Sequence, residues 1–292
     1  MRFASLTLFA VIVTGCAAPP EDEEAHVLDD TLDDARSDAP PRGDIVPLVL
    51  DHAPFPGTPD RPNAVVYVPD GYDASRSSGA IIFLHGWFNC ATNVIKPTNS
   101  SCGAGVRNAY NLANQLDDAN KNALLIVPEL AYDRASGDPG ALATPGTFAA
   151  MLDEIATELA LPAPDYLVVA SHSGGYRAAA AIARDAAIDE LWLLDSLYGE
   201  TTTFDAFAQA APARFADIYT VGGGTYANSQ AMATRAHGWV DATELTDDRG
   251  QKLLTDDDFA RTLVFKQSGL SHDNVPRYYV GRLIATSGLA EL

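Results

Sequence analysis

The sequence predicts an α/β domain: a mostly parallel sheet of eight strands with helices on both faces. Strand-like and helix-like segments alternate from residue 45 to the end of the chain. Several strand-like segments are unbroken apolar runs, the pattern of strands buried on both faces. One of them passes into "VVASHSGGYRAAA" (168–180), where small apolar residues give way within a few positions to good helix formers. That is a strand joined to a helix by a very tight turn.

The strand-like runs are 45–50, 64–68, 80–84, 123–127, 166–170, 191–194, 218–221 and 262–266. The first two have no helical pattern between them, so the N-terminal edge of the sheet should be an antiparallel hairpin. Apolar residues at helical spacing mark helices over 106–119, 147–161, 175–187 and 204–215. A last helix over 276–286 opens with Pro276, a residue suited to a helix start. Gly222–Gly224 lack the lysine of a phosphate-binding loop and read as a strand exit. "TDDDF" (255–259) reads as a helix start rather than a metal site.

Ahead of this domain lie two segments of different character. Residues 1–19, "MRFASLTLFAVIVTGCAAP", carry one positive charge and an apolar stretch too short to span a bilayer. Val13-Thr14-Gly15-Cys16 resembles a bacterial lipobox, which implies a signal peptide over 1–15, lipidation of Cys16 and anchoring to a membrane by lipid; plain secretion is the alternative. Residues 16–44 are rich in Asp, Glu, Pro and Ala without an aromatic, and read as a disordered acidic tether. The folded domain would then be 45–292.

The chain has 39 acidic and 19 basic residues among 292, a formal net charge of -20. Such a charge repels nucleic acid and anionic lipid head groups, so nucleic acid is excluded as a partner. Besides Cys16 there are two cysteines, Cys90 and Cys102, in a Gly/Asn/Ser-rich loop. In an exported chain they are expected to form a disulfide. With no His or further Cys nearby, zinc is not expected there.

The tight turn gives the chemistry. Ser173 follows a buried strand and precedes a helix, and Gly174 and Gly175 let strand and helix approach closely. The serine hydroxyl is thereby presented at the carboxyl edge of the sheet, with helix N–H groups behind it. Ser171-His172-Ser173-Gly174-Gly175 resembles the nucleophile elbow of the α/β-hydrolase superfamily, with Ser171 where a glycine is usual. "FLHGWFNC" (83–90) resembles that superfamily's His-Gly loop after an early strand, and "QSGLSHDNVPRYY" (267–279) its late histidine loop. The stretch 65–86 also resembles the entry of secreted esterases, feruloyl-esterase-like proteins included.

The resemblance implies a serine hydrolase of the esterase/lipase kind. Ser173 would be the nucleophile and His272 the base, with His172 not counted as one. Oxyanion donors would be the amides of Trp87 or Phe88 and of Gly174. The acid is expected at Asp195, where the strand "LWLLDSLYG" ends, with Asp241, Glu244, Asp247 and Asp248 in reserve. Trp87, Phe88, Glu129 and Tyr132 are expected to line the substrate pocket, 128–148 to form its rim, and His85 to be structural. Such chemistry needs neither cofactor nor metal. The substrate would be a small or polymeric carboxylic ester. An amidase or peptidase using the same triad is one alternative. A surface lipoprotein that kept the fold as a binding module is the other.

Overall fold

The computed structural model describes residues 39–56, 62–103, 105–130, 135, 137–210, 212–237, 243–245 and 255–292. The lipobox with Cys16 lies outside the described residues, as do Tyr132, Asp241, Asp247 and Asp248. The chain enters the sheet through β1 (Asp44–Leu48), β2 (Ala64–Val68) and β3 (Gly79–Leu84). A short helix α1 (Ala91–Val94) and the hairpin β4 (Ser100–Cys102) and β5 (Gly105–Arg107) follow. Then come α2 (Leu112–Ala119), β6 (Ala123–Pro128), α3 (Thr147–Glu158) and β7 (Tyr166–His172). Next are α4 (Tyr176–Asp185), β8 (Glu190–Leu194), α5 (Thr201–Gln209) and β9 (Arg214–Thr220). The last are α6 (Tyr226–Ala236), β10 (Thr243–Leu245), α7 (Asp256–Phe259), β11 (Leu263–Ser268) and α8 (Val275–Ala285).

The main sheet runs β1-β2-β6-β3-β7-β8-β9-β11-β10. Only the pairings β1–β2 and β2–β6 are antiparallel; the others are parallel. The eight anticipated strands are all present, and the three-residue β10 adds a short ninth at the far edge. Parallel strands put their carboxyl ends on one edge, so the loops after β3, β7, β8, β9 and β11 meet there.

Strand residues alternate between two cores. Ile82, Val169, Leu191 and Phe265 pack on one face with Phe148, Met151, Ile182, Phe204 and Met232 from α3, α4, α5 and α6. Ile81, Phe83, Val168 and Trp192 pack on the other with Leu112, Leu116, Phe259, Val280 and Leu283 from α2, α7 and α8. Burial on both faces is why these strands read as unbroken apolar runs.

Several anticipated boundaries move. The helix expected over 106–119 begins only at Leu112, because Gly105–Arg107 pairs with Ser100–Cys102. The helix expected over 204–215 is α5, and Arg214 and Phe215 already belong to β9. Residues 39–43, expected in the tether, bind the domain. Arg42 bonds the Asp117 carboxylate through its backbone N–H (2.9 Å), the Gly43 N–H reaches the Tyr67 hydroxyl (2.8 Å), and Asn114 reaches the Ala39 carbonyl (2.8 Å). "TDDDF" does start a helix, with Thr255 and Asp258 capping each other's backbone. Cys90 and Cys102 form the anticipated disulfide.

Below the sheet, a buried ion pair between Arg214 and Glu190 fixes the C-terminal helices. Glu190 also takes hydrogen bonds from Trp192 Nε1 (2.9 Å), the Tyr166 hydroxyl (2.9 Å) and the Gly288 N–H (2.7 Å). Arg214 donates to the Phe259 carbonyl (2.6 Å) and to Thr286 Oγ1 (3.0 Å). A buried pair holds its charge only when its remaining donors and acceptors are met in this way.

Asp217 on β9 is the contrast. It is buried, and neither carboxyl oxygen makes a hydrogen bond. Burial pushes its carboxyl up to about 7, against a smaller pull from the Ser229 hydroxyl, and the charge of Asp195 adds to the rise. The raised value means that the folded state binds a proton the unfolded chain gives up. Stability should therefore fall as pH rises from the ordinary carboxylate range through about 7. Asp217→Asn should raise stability above pH 8, on the order of 3 kcal/mol, with the gain vanishing towards pH 4; urea unfolding at several pH values checks this.

Candidate active site

β7 delivers Ser173 to the carboxyl edge. Ser173 holds φ 52°, in the left-handed region, and a 3₁₀ turn over Ser173–Gly175 leads into α4. The turn is possible because two loops meet without side chains between them. A Cβ on Gly175 would lie 2.4 Å from the Leu84 carbonyl oxygen. A Cβ on Gly86 would lie 2.7 Å from the Ser173 Cβ and 3.3 Å from its hydroxyl. Gly86 to Phe88 therefore run directly against the serine. The Trp87 ring lies over Gly174, half-exposed at 50%, while Phe88 is partly buried beneath the Arg107 guanidinium (4.8 Å to the ring centroid). Phe88 also holds a positive φ, 59°. Left-handed backbone at a non-glycine residue costs on the order of 1–3 kcal/mol and persists only where surrounding structure demands it.

Asp195 follows β8 directly and has a positive φ of 47°. It is 1% exposed, yet it is richly bonded. His272 Nδ1–H donates to Oδ2 at 2.7 Å, as does the Thr220 hydroxyl, also at 2.7 Å. Oδ1 accepts from the Thr225 hydroxyl and from the Thr220 N–H (3.2 Å). Burial pushes the carboxyl up. The hydrogen bond and charge of His272 and the two threonine hydroxyls outweigh that and hold it below its ordinary value.

His272 lies in a 3₁₀ turn between β11 and α8. Burial pushes its imidazole down. The hydrogen bond to Asp195, with the charges of Asp195 and Asp273, reverses this and leaves it above its ordinary value. Ser173 and His272 share neighbours on two sides. His172, adjacent to Ser173, stacks on His272 with ring centroids 4.5 Å apart. Tyr198, 40% exposed, sets its ring edge-on to His272 at 6.4 Å and its hydroxyl against the Ser173 side chain. Ser196 Oγ donates to the Ser173 carbonyl at 2.9 Å.

Of the anticipated residues, Ser173, His272, Asp195, Trp87, Phe88 and Gly174 come together at this edge. Glu129 is buried rather than set on a pocket rim: one carboxyl oxygen lies 2.9 Å from His85 Nε2 and the other accepts from the Ala91 N–H (3.1 Å). It packs behind the His-Gly loop, where buried His85 donates through Nδ1–H to the Gly86 carbonyl at 2.9 Å and accepts the Leu130 N–H at Nε2 (3.0 Å). Among the reserve acids only Glu244 is placed, on β10, and Asp195 holds the histidine. Thr220, Thr225 and Tyr198 were not anticipated. Their one sequence signal is position: Thr220 ends β9, and "VGGG" (221–224) is the glycine-rich exit that folds Thr225 back onto Asp195. Among the described residues, one group of His172, His272 and Asp273 has metal-ligating atoms within 4.8 Å of one another. Both ring nitrogens of His172 are already hydrogen-bonded, one to the Tyr110 hydroxyl and one to the His272 carbonyl, so the three do not make a free donor set.

No family model matches the sequence, and neither does any curated protein. Solved structures do match. One, a structure of FAE, is 12% identical with a TM-score of 0.54, over 87% of this chain and 91% of that one. A serine-to-alanine mutant of the feruloyl esterase module from Clostridium thermocellum, complexed with sinapinate, is 11% identical with a TM-score of 0.54. That match covers 84% of this chain and 88% of that one. This chain has the α/β-hydrolase fold. In this fold the elbow strand β7 sits centrally, and the loops carrying Asp195 and His272 follow strands on one side of it.

The threonine pair gives a test of the acid's environment. Thr225→Val removes a donor to a buried carboxylate and should lower stability by about 1–3 kcal/mol at pH 7. The deficit should shrink as pH falls and Asp195 takes up a proton. Thermal melts of both proteins between pH 3 and 8 measure it.

Proposed function

We propose that the protein is a serine hydrolase of carboxylic esters. The observation that carries this is the hydrogen bond from His272 to a buried Asp195, set at the same sheet edge as the strained Ser173 elbow. The feruloyl esterase module of the same fold accords with it.

In this reading His272 Nε2 takes the Ser173 proton as Oγ attacks the ester carbonyl carbon. Asp195 fixes the tautomer, with Nδ1–H pointing at the carboxylate, and stabilises the imidazolium that forms. The amides of Gly174 and of Trp87 or Phe88 receive the oxyanion. When the tetrahedral species collapses, His272 returns the proton to the departing alkoxide, leaving an acyl group on Ser173. Water, deprotonated by His272, then frees the acid and restores the serine. The half-exposed rings of Trp87 and Tyr198 flank the nucleophile and favour an apolar or aromatic substrate group. The lipobox and the disulfide support a site of action outside the cytoplasm, with the domain tethered through Cys16.

Only neutral His272 can accept the proton, so activity should rise with pH through an apparent pKa above 6.5. A panel of p-nitrophenyl and aryl esters beside the matching amides tests the assignment. Esters should turn over, and Ser173→Ala should abolish turnover. Asp195→Asn should lower kcat by about 10⁴-fold and move the acid limb to lower pH, because burial then acts on His272 without its partner. Hydrolysis of amides but not esters, or turnover that survives Ser173→Ala, would overturn it.

A further inference from the structure

The residue before the nucleophile has a role that the triad leaves unassigned. His172 is 2% exposed and both its ring nitrogens are engaged. Nε2 lies 3.2 Å from the His272 backbone carbonyl, and Nδ1 lies 2.9 Å from the Tyr110 hydroxyl. A carbonyl only accepts, so Nε2 carries the proton. Nδ1 is then a lone pair, and Tyr110 must donate to it. Burial and the nearby charge of His272 both disfavour a proton on His172, outweighing the pull of Asp195. The arrangement is therefore one tautomer of a neutral imidazole, set by the two groups that sandwich it.

The loop behind it is anchored to the histidine loop at other points as well. Asn108 donates to the Asp273 carboxylate at 2.9 Å. Gln115 donates to the Tyr110 carbonyl (2.6 Å) and to the Pro276 carbonyl (3.3 Å), and accepts from the Gly281 N–H (2.5 Å). Tyr110 itself is buried edge-on to both Phe83 (5.9 Å) and His172 (5.2 Å). The loop spanning 90–102 is closed by the disulfide just ahead of it.

We propose that His172 is a positioning residue: its Nε2–H clasps the His272 backbone carbonyl, in a tautomer held by Tyr110, and so sets the base against the adjoining nucleophile. The side chain of His272 is aimed by Asp195 and its backbone by His172. Because His172 and Ser173 are consecutive, the clasp makes the elbow itself the gauge for the base. A neutral His172 also leaves the imidazolium that forms on His272 without a second cation 4.5 Å away.

The proposal rests on Ser173 and His272 working as nucleophile and base, and its test includes a readout that needs no substrate. His172→Leu removes the clasp. His172→Gln keeps an N–H at similar reach. Tyr110→Phe removes only the tautomer lock. Kinetics on the ester panel should show kcat falling about 10- to 100-fold in His172→Leu with KM within twofold. His172→Gln should recover most of it. Tyr110→Phe should be intermediate, and the Tyr110→Phe/His172→Leu double variant no worse than His172→Leu alone, since Tyr110 acts through His172.

Independently, NMR titration of ¹³Cε1-labelled histidines should show the His272 pKa falling in His172→Leu and restored in His172→Gln. The groups that face the pair are Asp195, Asp273, Tyr110, Tyr198 and His85, and neither His172 variant substitutes any of them. Unchanged kcat and an unchanged His272 titration in folded His172→Leu would overturn the proposal, as would additive effects of Tyr110→Phe and His172→Leu. Were the wild type inactive on every ester, the titration alone would decide: a shift in Leu restored by Gln upholds the clasp while the esterase reading falls.

Discussion

Asp195 keeps a negative charge almost out of contact with water, and the carboxyl edge of the sheet is organised around the need to satisfy it. An unpaired buried carboxylate would simply take up a proton. Here two threonines at the end of β9 and its exit, and the histidine of the β11 exit, supply donors, so the exits of two strands close on the side chain presented by a third, β8. The strand ending above it is fixed in turn, since the Asp195 N–H bonds the Ile218 carbonyl at 2.6 Å. The same contacts hold His272 in one tautomer with Nε2 free, which is the state a base must start from. Structure and chemistry depend on the same hydrogen bonds.

Around this centre the backbone is strained where reactive groups are displayed. Phe88, Ser173 and Asp195 end separate strands or loops, and each holds left-handed φ without being glycine. At Ser173 close packing enforces the conformation: the Gly86 and Gly175 contacts leave no room for the elbow to relax. His85 and Glu129 brace the His-Gly loop from below, and the Arg214–Glu190 pair holds the ends of the last two helices at the opposite edge. Stability below the sheet offsets strain above it.

Much of this was legible in the sequence because the signals are local. A buried strand that ends in Ser-His-Ser-Gly-Gly, another in His-Gly and another in Leu-Asp announce what the carboxyl edge will carry. Alternation of strand and helix then brings those ends together. What was illegible depends on contacts between distant loops. Thr225 reaches Asp195 only because the glycines after Thr220 fold the chain back. Glu129 looks like a rim acid by position, but β6 points it inward to His85. Val106 carries an apolar residue at helical spacing, yet the disulfide loop pairs it in a hairpin with Ser101. Two-residue periodicity over so short a ribbon cannot be told from the start of a helix.

The account turns on whether Ser173 is an activated nucleophile. Treating the folded protein with a fluorophosphonate and mapping the modified peptide by mass spectrometry addresses that directly. The account predicts one phosphonyl group on Ser173, absent in Ser173→Ala and formed far more slowly in Asp195→Asn. A folded protein with its disulfide intact that stays unlabelled, or that is labelled at any other serine, would contradict it.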